Sequence, residues 1–183
     1  MATDERKESA ATVVLKLGDD VSTDAIYPGR FMATVLPSET PRHAFADLEE
    51  FNAKLRNGQI APGSVVAAGS NFGCGSSREQ AASTLKGHGL VIVARGYARI
   101  FLQNAVNLGL EVLVCPGLEA EENDRLRIEE SGIRNETRGA WYPLDPLPAA
   151  RRAIIDSGGL IPYSRERLVR RRASGSAATG SGE

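Results

Sequence analysis

The chain has 183 residues, of which 42% are hydrophobic and 25% are charged, with 22 lysines and arginines against 23 aspartates and glutamates. This composition is typical of a soluble globular protein, and the near-neutral charge argues against a dedicated nucleic-acid binder, which usually carries a basic excess. No apolar run approaches the roughly 20 residues that span a bilayer, and the charged N-terminus lacks the apolar core of a signal peptide. We therefore expect a cytoplasmic protein.

Hydrophobic periodicity predicts alternating strands and helices in the first part of the chain. In order, it predicts a strand over 12–17, a helix over 41–55, a strand over 64–68, a helix over 76–86, a strand over 90–95, a helix over 97–108 and a strand over 111–115. Strands that alternate with helices indicate an α/β fold with at least one parallel crossover.

The last third of the chain has a different pattern. It predicts a strand over 125–130, a hairpin from 133–137 and 140–144, and a helix over 146–157. We expect one domain over residues 12–168, between a flexible N-terminal segment (residues 1–11) and a flexible C-terminal tail (residues 169–183) rich in small polar residues. The Arg170–Arg172 cluster in that tail is either a solvated charge cluster or a weak contact for an anion or RNA.

A glycine-rich loop over 69–75 separates a predicted strand from a predicted helix, a junction that exposes backbone N–H groups to an anion. Ser76 and Glu79 fit the S-x-x-E capping box, so one interpretation is that Ser76 only caps the helix. The other interpretation is that this junction binds an anion, and it rests on the second hydroxyl, that of Ser77, and on Arg78. A cation in the first helical turn opposes the helix dipole, and a bound carboxylate beside Arg78 would offset that cost.

Metal ligands are few in this sequence. The chain contains only two cysteines, Cys74 and Cys115, and only two histidines, His43 and His88. A four-cysteine iron–sulfur or zinc site cannot be built from this chain alone, so we predict no metal ligands in it.

Three segments resemble, in order and spacing, the small subunits of isopropylmalate dehydratase, which form the swivelling domain of the aconitase superfamily. Residues 20–30 read DVSTDAIYPGR, residues 71–80 read NFGCGSSREQ, and residues 97–110 contain YARIFLQNA followed by Gly-Leu. The short length and the run Glu79-Gln-Ala-Ala82 are similar to the archaeal-type and homoaconitase-like branch.

The resemblance implies a β/β/α swivelling-domain fold and a hydro-lyase that removes and re-adds water on a hydroxy-carboxylate. It implies that Ser76 is the catalytic base and that Ser77 and Arg78 bind the substrate carboxylate. It also implies a [4Fe–4S] cluster carried by a separate large subunit, in a heterodimer or heterotetramer, with no cofactor bound by this chain.

One segment departs from the family pattern. Where the family often has Y-L-R-T, with an arginine that recognises the distal group of the substrate, this chain has Phe31-Met-Ala-Thr34. We therefore place Ala33 and Thr34 at the substrate and expect 3-isopropylmalate in leucine biosynthesis. The alternatives are homoaconitate, a methylated malate or maleate, or, from another class, a non-enzymatic anion- or RNA-binding module.

Overall fold

The computed structural model describes residues 9–177 and, of these, the side chains of residues 9–171. Seven strands occur in chain order: β1 (Ser9–Lys16), β2 (Val65–Ala68), β3 (Val91–Ala94), β4 (Val112–Val114), β5 (Arg125–Ile128), β6 (Gly132–Asn135) and β7 (Ala140–Pro143). Six α-helices accompany them: α1 (Thr23–Ile26), α2 (Glu49–Arg56), α3 (Glu79–Gly87), α4 (Arg99–Leu108), α5 (Ala149–Asp156) and α6 (Leu160–Ala177). Short 3₁₀ turns lie at Gly29–Phe31 and Thr40–His43.

The strands form one mixed sheet in the order β4-β3-β2-β1-β5-β6-β7. The first four strands of that order are parallel, and the last three pair antiparallel to their neighbours. Parallel neighbours require crossover connections, and here α2, α3 and α4 lie in them. This confirms the predicted α/β class and the parallel crossover.

The sheet has a hydrophobic core on each face. Strand β2 is buried throughout, with Val66 and Ala68 in the core beneath the helices and Val65 and Ala67 in the core on the opposite face. Alternate side chains of a strand point to opposite faces, so the apolar run of β2 serves both cores. A strand buried on both faces has a fixed register, and this fixes the position of the loop that follows β2.

The parallel strands β1 and β2 end side by side, so the loops that follow them are adjacent. The Gly69 N–H donates to the Gly18 carbonyl at 3.0 Å, and the Asp20 N–H donates to the Ser70 carbonyl at 2.9 Å. Two sequence-distant loops, 18–22 and 69–75, therefore meet at the carboxyl edge of the sheet. Open α/β sheets bind their ligands at this edge.

Two predicted helices were wrong in extent. The segment predicted as one helix over 41–55 is a 3₁₀ turn followed by α2, because Phe45 adopts a φ of 49° and its N–H donates to the Ile26 carbonyl at 2.8 Å. The helix predicted to start at Ser76 starts at Glu79. In the first of these segments a contact outside the segment determines the backbone, and periodicity within the segment does not report it.

Helix α6 was not predicted. It extends to Ala177, past residue 168, so helical backbone continues into the segment expected to be a flexible tail. Arg170 and Arg171 lie exposed on this helix, whereas residues 1–8 and 178–183 of the predicted terminal segments lie outside the described residues. None of the helices within residues 9–177 is long and apolar enough to cross a membrane.

Candidate active site

The glycine-rich loop is held against the loop that follows β1. The Gly73 N–H donates to the Val21 carbonyl at 2.7 Å, and the Thr23 N–H donates to the Cys74 carbonyl at 2.8 Å. These backbone bonds carry no sequence signature, yet they bring the segment that begins α1 next to Ser76. The site is therefore formed by the two loops together.

Gly73 sets the depth at which the glycine-rich loop packs. Its φ is 80°, and a Cβ at this position would lie 2.1 Å from Cγ of Phe101, which is buried on α4. Any larger residue would strain the backbone and push the loop away from the helix.

We expect Gly73→Ala to lower the free energy of unfolding by about 3 kcal/mol, since the left-handed conformation costs an L-residue roughly 1–2 kcal/mol and overpacking adds roughly 1–3 kcal/mol. Gly139→Ala is the matched control, because Gly139 has a φ of 68° but open space around its Cβ position. Urea denaturation of the two variants checks the difference. Equal destabilisation of both would show that the contact with Phe101 contributes nothing.

Ser76 is exposed and does not cap the helix. The N-cap of α3 is Arg78, which makes no side-chain capping bond, so the predicted capping box of Ser76 and Glu79 is wrong. The Ser76 hydroxyl oxygen instead lies 3.1 Å from the Thr23 hydroxyl oxygen, and Thr23 is 2% exposed. The serine hydroxyl is thus at the surface of the site, with a buried hydroxyl beneath it.

Arg78 is fixed by a residue of α1 and by the residue that follows this helix. Its Nη1 donates to Oδ1 of Asp24 and, at 3.1 Å, to the Tyr27 carbonyl. Asp24 Oδ1 also accepts the Gly29 N–H at 2.8 Å. The hydrogen bonds from Arg78 and from Gly29 lower the pKa of the Asp24 carboxyl, so the ion pair persists at neutral pH.

The other edge of the Arg78 guanidinium remains available. Within the described residues, neither Nη2 nor Nε donates to a protein acceptor, and the side chain is 20% exposed. A guanidinium held at one nitrogen can still offer two parallel donors to a carboxylate. Ser77 is exposed beside it, and its carbonyl accepts a bond from Nδ2 of Asn104 at 3.2 Å.

An open cavity of about 670 Å³ brings these groups together. Its lining comprises Met32, Val35, Pro37, Ser76, Ser77, Arg78, Glu79, Gln80, Ser83 and Leu108. The volume lies in the range typical of small-molecule sites. Polar donors and the first turn of α3 form one wall, and apolar side chains of the segment after α1 form another.

The structure places Ala33 and Thr34 next to this cavity but not in its lining; their neighbours Met32 and Val35 line it. The Tyr27 hydroxyl holds the segment by donating to the carbonyls of Phe31 at 3.1 Å and Thr34 at 3.2 Å. We call residues 31–34 the recognition turn. Tyr27 is fully buried, so the turn is anchored to the core.

The side chains of residues 9–171 offer no ligand set for a metal cluster. No group of three or more His, Cys, Asp or Glu side chains within the described residues could hold a metal ion. Cys74 is half-buried, and its thiol lies 3.3 Å from the Asp20 carbonyl. Burial raises the pKa of the Cys115 thiol to about 11, which disfavours the thiolate that metals require. An iron–sulfur cluster does not fit this part of the chain.

Sequence reasoning missed Thr23, Asp24 and Tyr27 as parts of the site. All three lie in the first quoted motif, and their carbonyl or side-chain oxygens contact Ser76 or Arg78. The adjacent hydroxyl and carboxyl of Thr23 and Asp24 were the available signal. Only the register of the two loops shows that Thr23 faces Ser76 and Asp24 faces Arg78.

The chain is similar to known proteins over most of its length. Residues 39–116 match the Aconitase C-terminal domain family. The chain is 42% identical over 160 residues to the 3-isopropylmalate dehydratase small subunit of Methanosarcina mazei, covering 85% of this chain and 96% of that protein. It is 43% identical over 150 residues to small subunit 1 of the same enzyme from Methanopyrus kandleri, covering 79% and 85%.

A solved structure is also similar. The crystal structure of 3-isopropylmalate dehydratase from Methanocaldococcus jannaschii superposes with a TM-score of 0.82 at 33% identity, covering 91% of this chain and 99% of that one. At 33% identity the similarity extends to the family as well as to the fold. The β/β/α swivelling-domain architecture is therefore confirmed.

Proposed function

The chain belongs to the family of 3-isopropylmalate dehydratase small subunits, and from that premise we propose that it supplies the catalytic base and a carboxylate-binding arginine to a two-chain hydro-lyase. The observation that carries the proposal is the cavity shared by Ser76 and Arg78, in which the serine hydroxyl is exposed and one edge of the guanidinium carries no protein partner within the described residues. A base and a carboxylate anchor on one wall are what a dehydration at the carbon next to a carboxylate requires.

In the proposed mechanism, Ser76 removes the proton from the carbon and returns it in the reverse reaction. A serine hydroxyl is a weak base unless its anion is stabilised. The Thr23 hydroxyl at 3.1 Å can donate to that oxygen, and the positive end of the α3 dipole, which has no side-chain cap, begins three residues after Ser76. Arg78 holds the substrate carboxylate and places the reacting carbon beside Ser76, with Ser77 on the same wall.

We propose that a [4Fe–4S] cluster would be held by a separate large subunit and not by residues of this chain, and that it would supply Lewis-acid chemistry at the leaving hydroxyl. Two cysteines and the absence of a metal-ligand group within the described residues support a cluster outside this chain. The cavity is open, and Met32, Val35 and Leu36 at its side are exposed. A second subunit seated there would cover these apolar side chains and exclude water from the site.

The apolar side of the cavity supports 3-isopropylmalate as the substrate, in leucine biosynthesis. Met32 in the recognition turn and Val35 directly after it supply the apolar lining, and Ala33 carries no charge to pair with a distal carboxylate. An unpaired carboxylate against that wall would be costly, so we place homoaconitate below an alkyl-substituted or methylated malate. One methylene is worth only about 1–3 kcal/mol, so related malates should compete.

We expect Ala33→Arg to raise the ratio of kcat/KM for homoaconitate to that for 3-isopropylmalate by about tenfold or more, since a charge-assisted hydrogen bond contributes roughly 1.5–3 kcal/mol. The measurement compares both substrates on parent and variant enzymes, each assembled with the large subunit. Ala150→Arg is the control, because Ala150 is exposed on α5 and does not line the cavity of Ser76 and Arg78. An unchanged ratio in Ala33→Arg would mean that the turn does not read the distal group.

The function itself is tested by co-expression of this chain with a cluster-binding large subunit. The assembled pair should dehydrate 3-isopropylmalate under anaerobic conditions, and each chain alone should not. Activity of the isolated chain, or a pair that acts on none of the hydroxy acids in a panel of malates and homoaconitate, would contradict the proposal.

A further inference from the structure

A second cavity of about 370 Å³ lies behind the recognition turn. It is lined by both 3₁₀ turns and by α2, and three of its lining residues are arginines: Arg30, Arg42 and Arg56. We call it the arginine pocket. Its size is compatible with a small metabolite, and it shares no lining residue with the cavity of Ser76 and Arg78.

The cations of the arginine pocket are only partly neutralised. Arg30 pairs with Asp47 at 2.5 Å, and Glu49 is the carboxylate in the lining. Arg42 Nε donates to Nε2 of His43 at 3.0 Å, and neither Arg42 nor Arg56 pairs with a carboxylate within the described residues. Guanidinium groups that converge without enough carboxylates attract an oxyanion.

The pocket is in contact with the recognition turn through stacked rings. The Phe31 ring stacks on the His43 ring at a centroid distance of 3.9 Å. The Arg30 guanidinium lies 4.7 Å from the centroid of the Phe31 ring. Phe31 is the first residue of the turn, and its carbonyl accepts the Tyr27 hydroxyl. A group bound in the pocket would therefore affect the position of the recognition turn through the Phe31 ring.

His43 reports the positive potential of the pocket. Burial lowers the pKa of its imidazole, and the charges of the three arginines lower it further. The ring is therefore neutral at pH 7, as its acceptance of the Arg42 hydrogen bond requires. A bound anion would offset the arginine charges and raise the His43 pKa toward its ordinary value.

We propose that the arginine pocket binds a small dianionic oxyanion, a phosphate or a dicarboxylate, and that its occupancy adjusts the recognition turn. The site goes beyond the proposed function, and only its effect on turnover rests on that function. Arg42 and Arg56 would supply the donors to this anion, and Ala53 on α2 belongs to the same lining.

The binding test uses the full chain, with inorganic phosphate and succinate titrated separately at constant ionic strength. We expect saturable binding by calorimetry and, by NMR, a rise of the His43 pKa that exceeds any change at His88, the only other histidine. Stronger binding of phosphate or of succinate identifies a phosphoryl or a carboxylate ligand. If neither phosphate nor succinate shows saturable binding, the proposal is overturned.

Two variants give the site its specificity test. Arg56→Gln should weaken binding about tenfold or more, because it removes a charge-assisted donor. Arg165→Gln makes the same change of charge at an exposed position on α6 and should bind as the parent does. Equal weakening by both variants would mean a diffuse charge effect and would overturn the site.

The effect on turnover is measured on the enzyme assembled with its large subunit. An anion concentration that occupies most of the parent pocket should change the KM for the hydroxy acid at least twofold in the parent and by less in Arg56→Gln, in proportion to its lower occupancy. An unchanged KM with intact binding would overturn the coupling to the recognition turn. Failure of the proposed function is recognised separately, since the binding test on the isolated chain requires no turnover.

Discussion

Ser76→Ala in the assembled enzyme should lower kcat by about two orders of magnitude or more, the typical contribution of a positioned general base. The substitution removes the exposed hydroxyl that lies 3.1 Å from Thr23. It should cost at most about 1 kcal/mol of stability, the net worth of an ordinary hydrogen bond. The buried Thr23 hydroxyl keeps a second acceptor, the Ser76 carbonyl at 3.4 Å, so it is not left unpaired.

Thr23→Val separates the base from the group that supports it. It retains the Ser76 hydroxyl but removes the donor beneath it, so we expect a smaller loss in kcat and little change in KM. Urea denaturation and co-purification with the large subunit check that both variants fold and assemble. A Ser76→Ala enzyme with kcat within tenfold of the parent would show that another group removes the proton.

The sheet was predictable because its strands carry their own signal. The apolar runs at β2, β3 and β4 are short, rich in valine and bounded by glycine or polar residues, and each strand lies within its predicted range. The hairpin of β6 and β7 was likewise visible from the turn at Arg138-Gly139, where Gly139 has a φ of 68°. Local pattern and tertiary structure agree in these elements.

The site was only half predictable, since its geometry depends on contacts between loops. The motif around Ser76 and Arg78 named the chemistry, but the capping-box pattern assigned Ser76 to the wrong role. The backbone bonds from Gly73 to Val21 and from Thr23 to Cys74 link loops about 50 residues apart, as the residue numbers show. A sequence pattern reports spacing along the chain, so it could not show which residue of the first loop faces Ser76.

Arg78→Lys should lower kcat/KM about a hundredfold, although the substitution keeps the positive charge. The guanidinium serves the protein and the substrate at once: Nη1 is taken by Asp24 and the Tyr27 carbonyl, and Nη2 and Nε remain for a carboxylate. A lysine has one donor nitrogen and cannot bind the Asp24 carboxylate and the substrate carboxylate at once in a fixed geometry. Loss of one or two charge-assisted bonds, each roughly 1.5–3 kcal/mol, corresponds to this decrease.

Stability should change little in Arg78→Lys, because Asp24 is 61% exposed and exposed ion pairs contribute only about 0–1 kcal/mol. Arg134→Lys is the matched control: Arg134 pairs with Glu129 at 3.2 Å on the antiparallel half of the sheet, outside the cavity of Ser76. Steady-state kinetics and urea denaturation of both variants give the comparison. If Arg78→Lys kept the parent kcat/KM and lost stability instead, Arg78 would be the structural partner of Asp24, and the substrate carboxylate would have to be bound by the N–H groups at the start of α3 or by the large subunit.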